Sequence, residues 1–138
     1  MRNILILQLL LAGVSAEAQI KAPPLVATAF AKRFAAAKNV KWGKENAKEY
    51  EADFQLLGTK MSANFDLEGN WKETETVVTA QDLPAAVLQS IKARYPTAII
   101  SGGDKVERPV NNIIYEVNIK TAGGKKEVEL FPDGKFIK

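Results

Sequence analysis

The chain contains neither cysteine nor histidine, and these two absences exclude much chemistry. Without cysteine there is no disulfide, no thiolate nucleophile and no thiol for a lipid anchor. Without histidine a Ser–His pair cannot be assembled, and the usual nitrogen and sulfur ligands of zinc and copper are missing. Only oxygen-ligated ions remain, and the segment 66–70 (DLEGN) lacks the spaced ligands and distal glutamate of a calcium loop. No G-x-G-x-x-G or Walker pattern occurs, and the glycine pairs at 102–103 and 123–124 read as a bend and a hairpin turn. The carboxylate pairs Glu51/Asp53, Glu73/Glu75 and Glu127/Glu129 have the i, i+2 spacing common on solvated strands, whereas a glycosidase needs two carboxylates across a cleft. We therefore assign no catalytic residue, no cofactor and no metal site. The chain reads as non-enzymatic.

Long apolar runs are scarce as well. The stretch 4–14 (ILILQLLLAGV) has eleven residues, too few for a bilayer span of roughly 20. It follows Met1-Arg2-Asn3 and precedes Ser15-Ala16-Glu17-Ala18, a small-residue A-x-A site. This is the pattern of a signal peptide, residues 1–18, cleaved after Ala18. The expected mature chain begins at Gln19, has no membrane span and is periplasmic or secreted. Its lysines are scattered: Lys41, Lys44 and Lys48 are interrupted by Glu45 and Glu49. Such a mixed segment is a solvated face, so no nucleic-acid partner is expected.

What is present is internal repetition. Tyr50-Glu51-Ala52-Asp53-Phe54 matches Tyr115-Glu116-Val117-Asn118-Ile119 at an offset of 65. The same offset carries Ala63-Asn64-Phe65 onto Val128-Glu129-Leu130, and Glu68-Gly69-Asn70-Trp71 onto Asp133-Gly134-Lys135-Phe136. Upstream, Pro24, Phe30 and Phe34 correspond to Pro84, Ile91 and Tyr95 at offsets of 60 to 61. Each copy reads as a helix and a meander. The helices are expected at about 23–36 and 83–95, with Pro24 and Pro84 in their first turns. Asp82 is a candidate cap for the second. Strands are expected at 39–43, 47–57, 59–67 and 70–78, then at 99–107, 112–121, 125–131 and 135–138. A type I turn at Phe131-Pro132-Asp133-Gly134, like Asp66-Leu67-Glu68-Gly69, requires φ > 0 at the glycine and sets Phe65 opposite Trp71 and Leu130 opposite Phe136.

Val40-Lys41-Trp42, the Tyr50–Phe54 segment, Phe65-Asp66-Leu67-Glu68-Gly69-Asn70-Trp71, Leu83-Pro84 with Tyr95-Pro96, and the final Asp133-Gly134 carry a resemblance. They resemble the small exported PepSY-like proteins that share a fold with the β-lactamase inhibitor protein. The resemblance covers nearly the whole mature chain. It implies an α+β fold: a tandem repeat of one helix plus an antiparallel four-stranded meander, forming a continuous antiparallel sheet with helices on one face. The domain would be 19–138, with repeat one at about 23–79 and repeat two at about 82–138. The resemblance also implies protein binding or peptidase inhibition, without a contact residue to carry over.

Alternation then locates a candidate surface. Tyr50, Ala52, Phe54, Ala63, Phe65, Tyr115, Val117, Ile119, Val128 and Leu130 should face the helices, sending their neighbours to the other side. Two helices cover only one face, so this second face is open. Its binding candidates are Glu51, Asp53, Asn64, Glu116, Asn118, Glu127 and Glu129. Trp42, beside lysines in a short edge-like strand, reads either as core or as a stacking residue, and joins the candidates. The expected function is an exported binding module docking a protein or peptide with a basic surface. The other reading is a structural or envelope-maintenance component without a discrete ligand.

Overall fold

The computed structural model describes residues 19–138; the signal-peptide reading falls on 1–18, outside the described residues. The order is α1 (Pro24–Arg33), β1 (Lys38–Asn46), β2 (Glu49–Leu56), β3 (Thr59–Asp66) and β4 (Trp71–Val78). A 3-10 turn (Ala80–Asp82) leads to α2 (Ala85–Arg94), followed by β5 (Ile99–Arg108), β6 (Asn112–Thr121) and β7 (Gly124–Leu130). The seven strands form one sheet in chain order, every neighbouring pair antiparallel. The fold is α+β.

Both helices start at proline. Pro24 occupies the first turn of α1, and Pro84 stands immediately before α2 with φ −54°. Asp82 does not cap α2: its carboxylate accepts from Thr79 Oγ1 at 2.6 Å inside the 3-10 turn, and α2 has no side-chain cap. α1 ends at Arg33, short of the expected 36, where Phe34 leaves helical geometry with ψ 54°. Basic residues close both helices, Lys32 and Arg33 in α1, Lys92 and Arg94 in α2, where they meet the negative end of the macrodipole.

The helices cover the same sheet face. Val26, Phe30 and Phe34 of α1 pack with Ala52, Phe54, Ala63 and Phe65. Val87 and Ile91 of α2, with Leu83, pack with Val117, Ile119, Val128 and Leu130. Phe30 makes edge-on contacts with Phe54 and Trp42 at 5.1 and 5.3 Å between centroids. Trp42 thus lies on the helix side, opposite Ala52 in the ladder. Its inclusion among the open-face candidates is corrected: the apolar ring fills the gap beside Phe30 at the β1 edge. β1 itself is nine residues long rather than a short strand at 39–43.

Gly69 and Gly134 have φ of 84° and 86°, and each donates its N–H back across the turn, to Asp66 O and Phe131 O. Phe65 stands opposite Trp71, and Leu130 pairs with Phe136. The segments after these turns differ, however. β4 pairs on both sides, with β3 and β5. The expected strand at 135–138 is reduced to a single bridge at Phe136. It lies against β7, and among the described residues no further strand holds its other edge. Four strands follow α1 and three follow α2.

Candidate functional site

The site is built on the sheet face away from the helices. Two bulges decide which side chains reach it. In β3–β4, Asn64 pairs with Glu73 but Phe65 pairs with Trp71, leaving Lys72 as the extra residue. In β5–β6, Ile100 pairs with Ile119 and Gly102 with Asn118, leaving Ser101 extra. A bulge inverts the alternation beyond it. Trp71 therefore faces α1, whereas Glu73 and Glu75 face away. Likewise Ile100 packs with α2, whereas Asp104, Val106 and Arg108 face away.

Three cross-strand rows result. Glu51, Asn64 and Glu73 are successive partners across β2, β3 and β4, and Arg108 Nε donates to Glu73 Oε2 at 2.8 Å. Asp53, Ser62, Glu75, Val106 and Ile114 form the second row. Asp104, Glu116 and Glu129 stand side by side in the third, with Asn118 opposite Glu127 one position on. All the sequence candidates except Trp42 thus share this face. With Glu73, Glu75 and Asp104 it gathers half of the chain's 16 acidic residues. Lysines stand toward its margins, Lys41 on β1 and the facing pair Lys120 and Lys125.

Although no described helix covers this face, parts of it are dry. Val106 is 0% exposed and Ile114 4% exposed, so the surrounding side chains close over them. The carboxylates beside them feel the low dielectric. Burial, then Glu116, Glu73, Asp104 and Glu51, push the Glu75 carboxyl up to about 7. Burial raises Glu51 too, followed by repulsion from Asp53. Burial raises Asp104, and Glu116, where Glu127 and Glu129 add repulsion that Arg108 partly offsets. Arg108 is held protonated by its bond to Glu73. Like charges opposed across a ladder destabilise it, so this arrangement is not one that folding favours.

Asn64 is also buried here, 5% exposed, and its Oδ1 has no hydrogen-bond donor. The carboxylates lie one per strand position, and no three acidic side chains among the described residues converge as a metal cluster. On the helix side a cleft of about 230 Å³ is lined by Arg33, Trp71, Thr74 and Glu107 among others. Within it Trp71 Nε1 donates to Thr74 Oγ1 at 2.9 Å, and the Arg33 guanidinium lies 3.6 Å over the Trp71 ring.

The family profile described as "Putative beta-lactamase-inhibitor-like, PepSY-like" matches residues 48–138, more than half of the chain. The chain belongs to this PepSY-like family. Three solved structures share its fold. A DUF2874 family protein from Bacteroides uniformis is 26% identical, with a TM-score of 0.79 over 86% of this chain and 88% of its own. A BLIP-like protein from Bacteroides fragilis is 24% identical, with a TM-score of 0.75 over 86% and 85%. A protein from Bacteroides eggerthii, described as a "putative periplasmic" protein, is 22% identical, with a TM-score of 0.78 over 86% and 87%. No curated protein matches the chain. Among the described residues no helix is long and apolar enough to cross a membrane.

Proposed function

We propose that this PepSY-like protein is an exported, non-catalytic binding module that docks a protein or peptide with a basic surface on the helix-free face of its sheet. The observation that carries this reading is the charge segregation: a net-positive chain holds half of its acidic residues on one face. Ordinary solvation would favour mixed signs across a ladder, whereas Asp104, Glu116 and Glu129 stand together. A field of one sign steers a partner of the other and sets its on-rate. The beta-lactamase-inhibitor-like name of the family agrees with a protein partner.

We further read the two halves, about 23–79 and 82–138, as a duplicated unit with export directed by residues 1–18. Support comes from paired details: the matching glycine turns, and Arg33 over Trp71 and Arg94 over Phe136, each at 3.6 Å.

The test uses acetylated, amidated pentalysine as a defined basic probe in isothermal titration at low salt. The wild-type protein binds it with an affinity that falls as salt rises. The double variant Glu51→Lys/Glu116→Lys binds about tenfold or more weakly, with a shallower salt dependence. Equal binding by both proteins would place docking elsewhere.

A further inference from the structure

We propose that Asn64 is the centre of a subsite for one primary ammonium, the side-chain amine of a lysine in the docked partner, held between Asn64 Oδ1 and the carboxylates of Glu51 and Glu73. This deepens, and rests on, the docking function proposed above.

Asn64 lies on the inner strand β3, with Glu51 beside it on β2 and Glu73 beside it on β4. The residue is 5% exposed, and Oδ1 is buried without a donor. Buried acceptors are almost always paired, because leaving one dry and unmade is costly. None of the described neighbours pairs it. A carboxylate only accepts, and β3 is bonded to a strand on each side, which commits its backbone N–H groups to the ladders. Arg108 turns its Nε to Glu73 Oε2 at 2.8 Å and not to Asn64. A donor brought by a partner would meet a row of three acceptors, Glu51, Asn64 Oδ1 and Glu73.

That row selects the chemistry. An ammonium is a compact charge with three rotatable donors, one for each acceptor. A guanidinium is a planar fork matched to two oxygens of one carboxylate, and Glu73 Oε2 already accepts from the Arg108 Nε. A metal ion would need convergent acidic ligands, which the described residues do not form. An extended partner segment also suits the surface, since alternate side chains point the same way.

The test compares pentalysine with pentaarginine on the wild type and on Asn64→Leu, Asn64→Ala and Glu116→Lys, by isothermal titration at low salt. Asn64→Leu and Asn64→Ala should each weaken pentalysine about tenfold while changing pentaarginine by less than about threefold. Removing an unpaired acceptor should leave the unfolding temperature unchanged or raised. On the wild type, the Asn64 side-chain amide resonance should move as pentalysine is added, a readout that needs no variant. Full pentalysine binding by both Asn64 variants, or a stationary amide signal at saturation, overturns the subsite; if Glu116→Lys still weakens binding, docking on the face survives. Equal weakening of both peptides overturns the ammonium assignment. Pentalysine bound equally by every variant, or not bound by the wild type, overturns the docking function and the subsite with it.

Discussion

The two faces of this one sheet follow opposite rules. The helix face is apolar and enclosed: Ala52, Val87, Ile91 and Val117 are at most 0% exposed, and the aromatic rings around Phe30 interlock. The open face buries Val106 just as completely, but does so beneath carboxylates, with Asn64 Oδ1 left without a donor. One face spends its burial on stability. The other keeps like charges together and an amide unsatisfied, which is the expected signature of a surface shaped by something other than folding.

Deleting the centre of the enclosed face should have the largest effect. Phe30→Ala should lower the unfolding free energy by about 3–5 kcal/mol in urea titration, because the ring leaves a cavity that Phe34, Trp42 and Phe54 cannot all fill. A loss below about 1 kcal/mol would mean that α1 is not anchored by this cluster.

A matched pair sharpens the contrast. Val117 on the helix face and Val106 on the open face are both 0% exposed. Val117→Ala should cost about 2 kcal/mol, since rigid neighbours on both sides preserve the cavity. Val106→Ala should cost roughly half as much, because flexible acidic side chains can settle or admit water. Equal losses would show that the open face is as tightly packed as the core.

The smallest effect concerns charge, and it has the opposite sign. The Glu75 carboxyl is raised to about 7 from its ordinary 4.5. The folded state therefore holds a proton that the unfolded state has released between these values, so stability falls as pH rises from about 4.5 to 7. Below that window both states are protonated and the penalty is absent. Glu75→Gln should then stabilise the protein at pH 8 by on the order of 1 kcal/mol, discounted for the screening that solvent provides. Near pH 4 it should change little. A variant that is less stable than wild type at pH 8 would contradict the repulsion.

The contrast between the faces was only half legible in the sequence. Strict alternation in β2, β3, β6 and β7 assigned Glu51, Asp53, Asn64, Glu116, Asn118, Glu127 and Glu129 to the open face. The centre of that face was hidden. Counting by twos from Trp71 sends Glu73 and Glu75 toward α1, and counting from Ile100 does the same for Asp104 and Val106. The bulges at Lys72 and Ser101 reverse both. Gly102, with φ 104°, follows the second bulge and was the available signal, since a glycine inside a strand pattern often marks one. Gly103 goes with it: a Cβ there would run into the Glu116 carbonyl oxygen. Trp42 misled for a different reason. Lys41 precedes it in the chain, and only the ladder shows that Lys41, opposite Asp53, turns to the other face while Trp42 stands opposite Ala52.

The most direct measurement is the titration of the Glu75 side-chain carboxyl by carbon NMR, in the free protein and with pentalysine. If the open face is a desolvated acidic surface for a basic partner, the free midpoint lies at about 7. Added pentalysine lowers it, because a nearby cation favours the charged carboxylate. A free midpoint at the ordinary 4.5, unmoved by the peptide, would contradict both the shielding of that face and its role in docking.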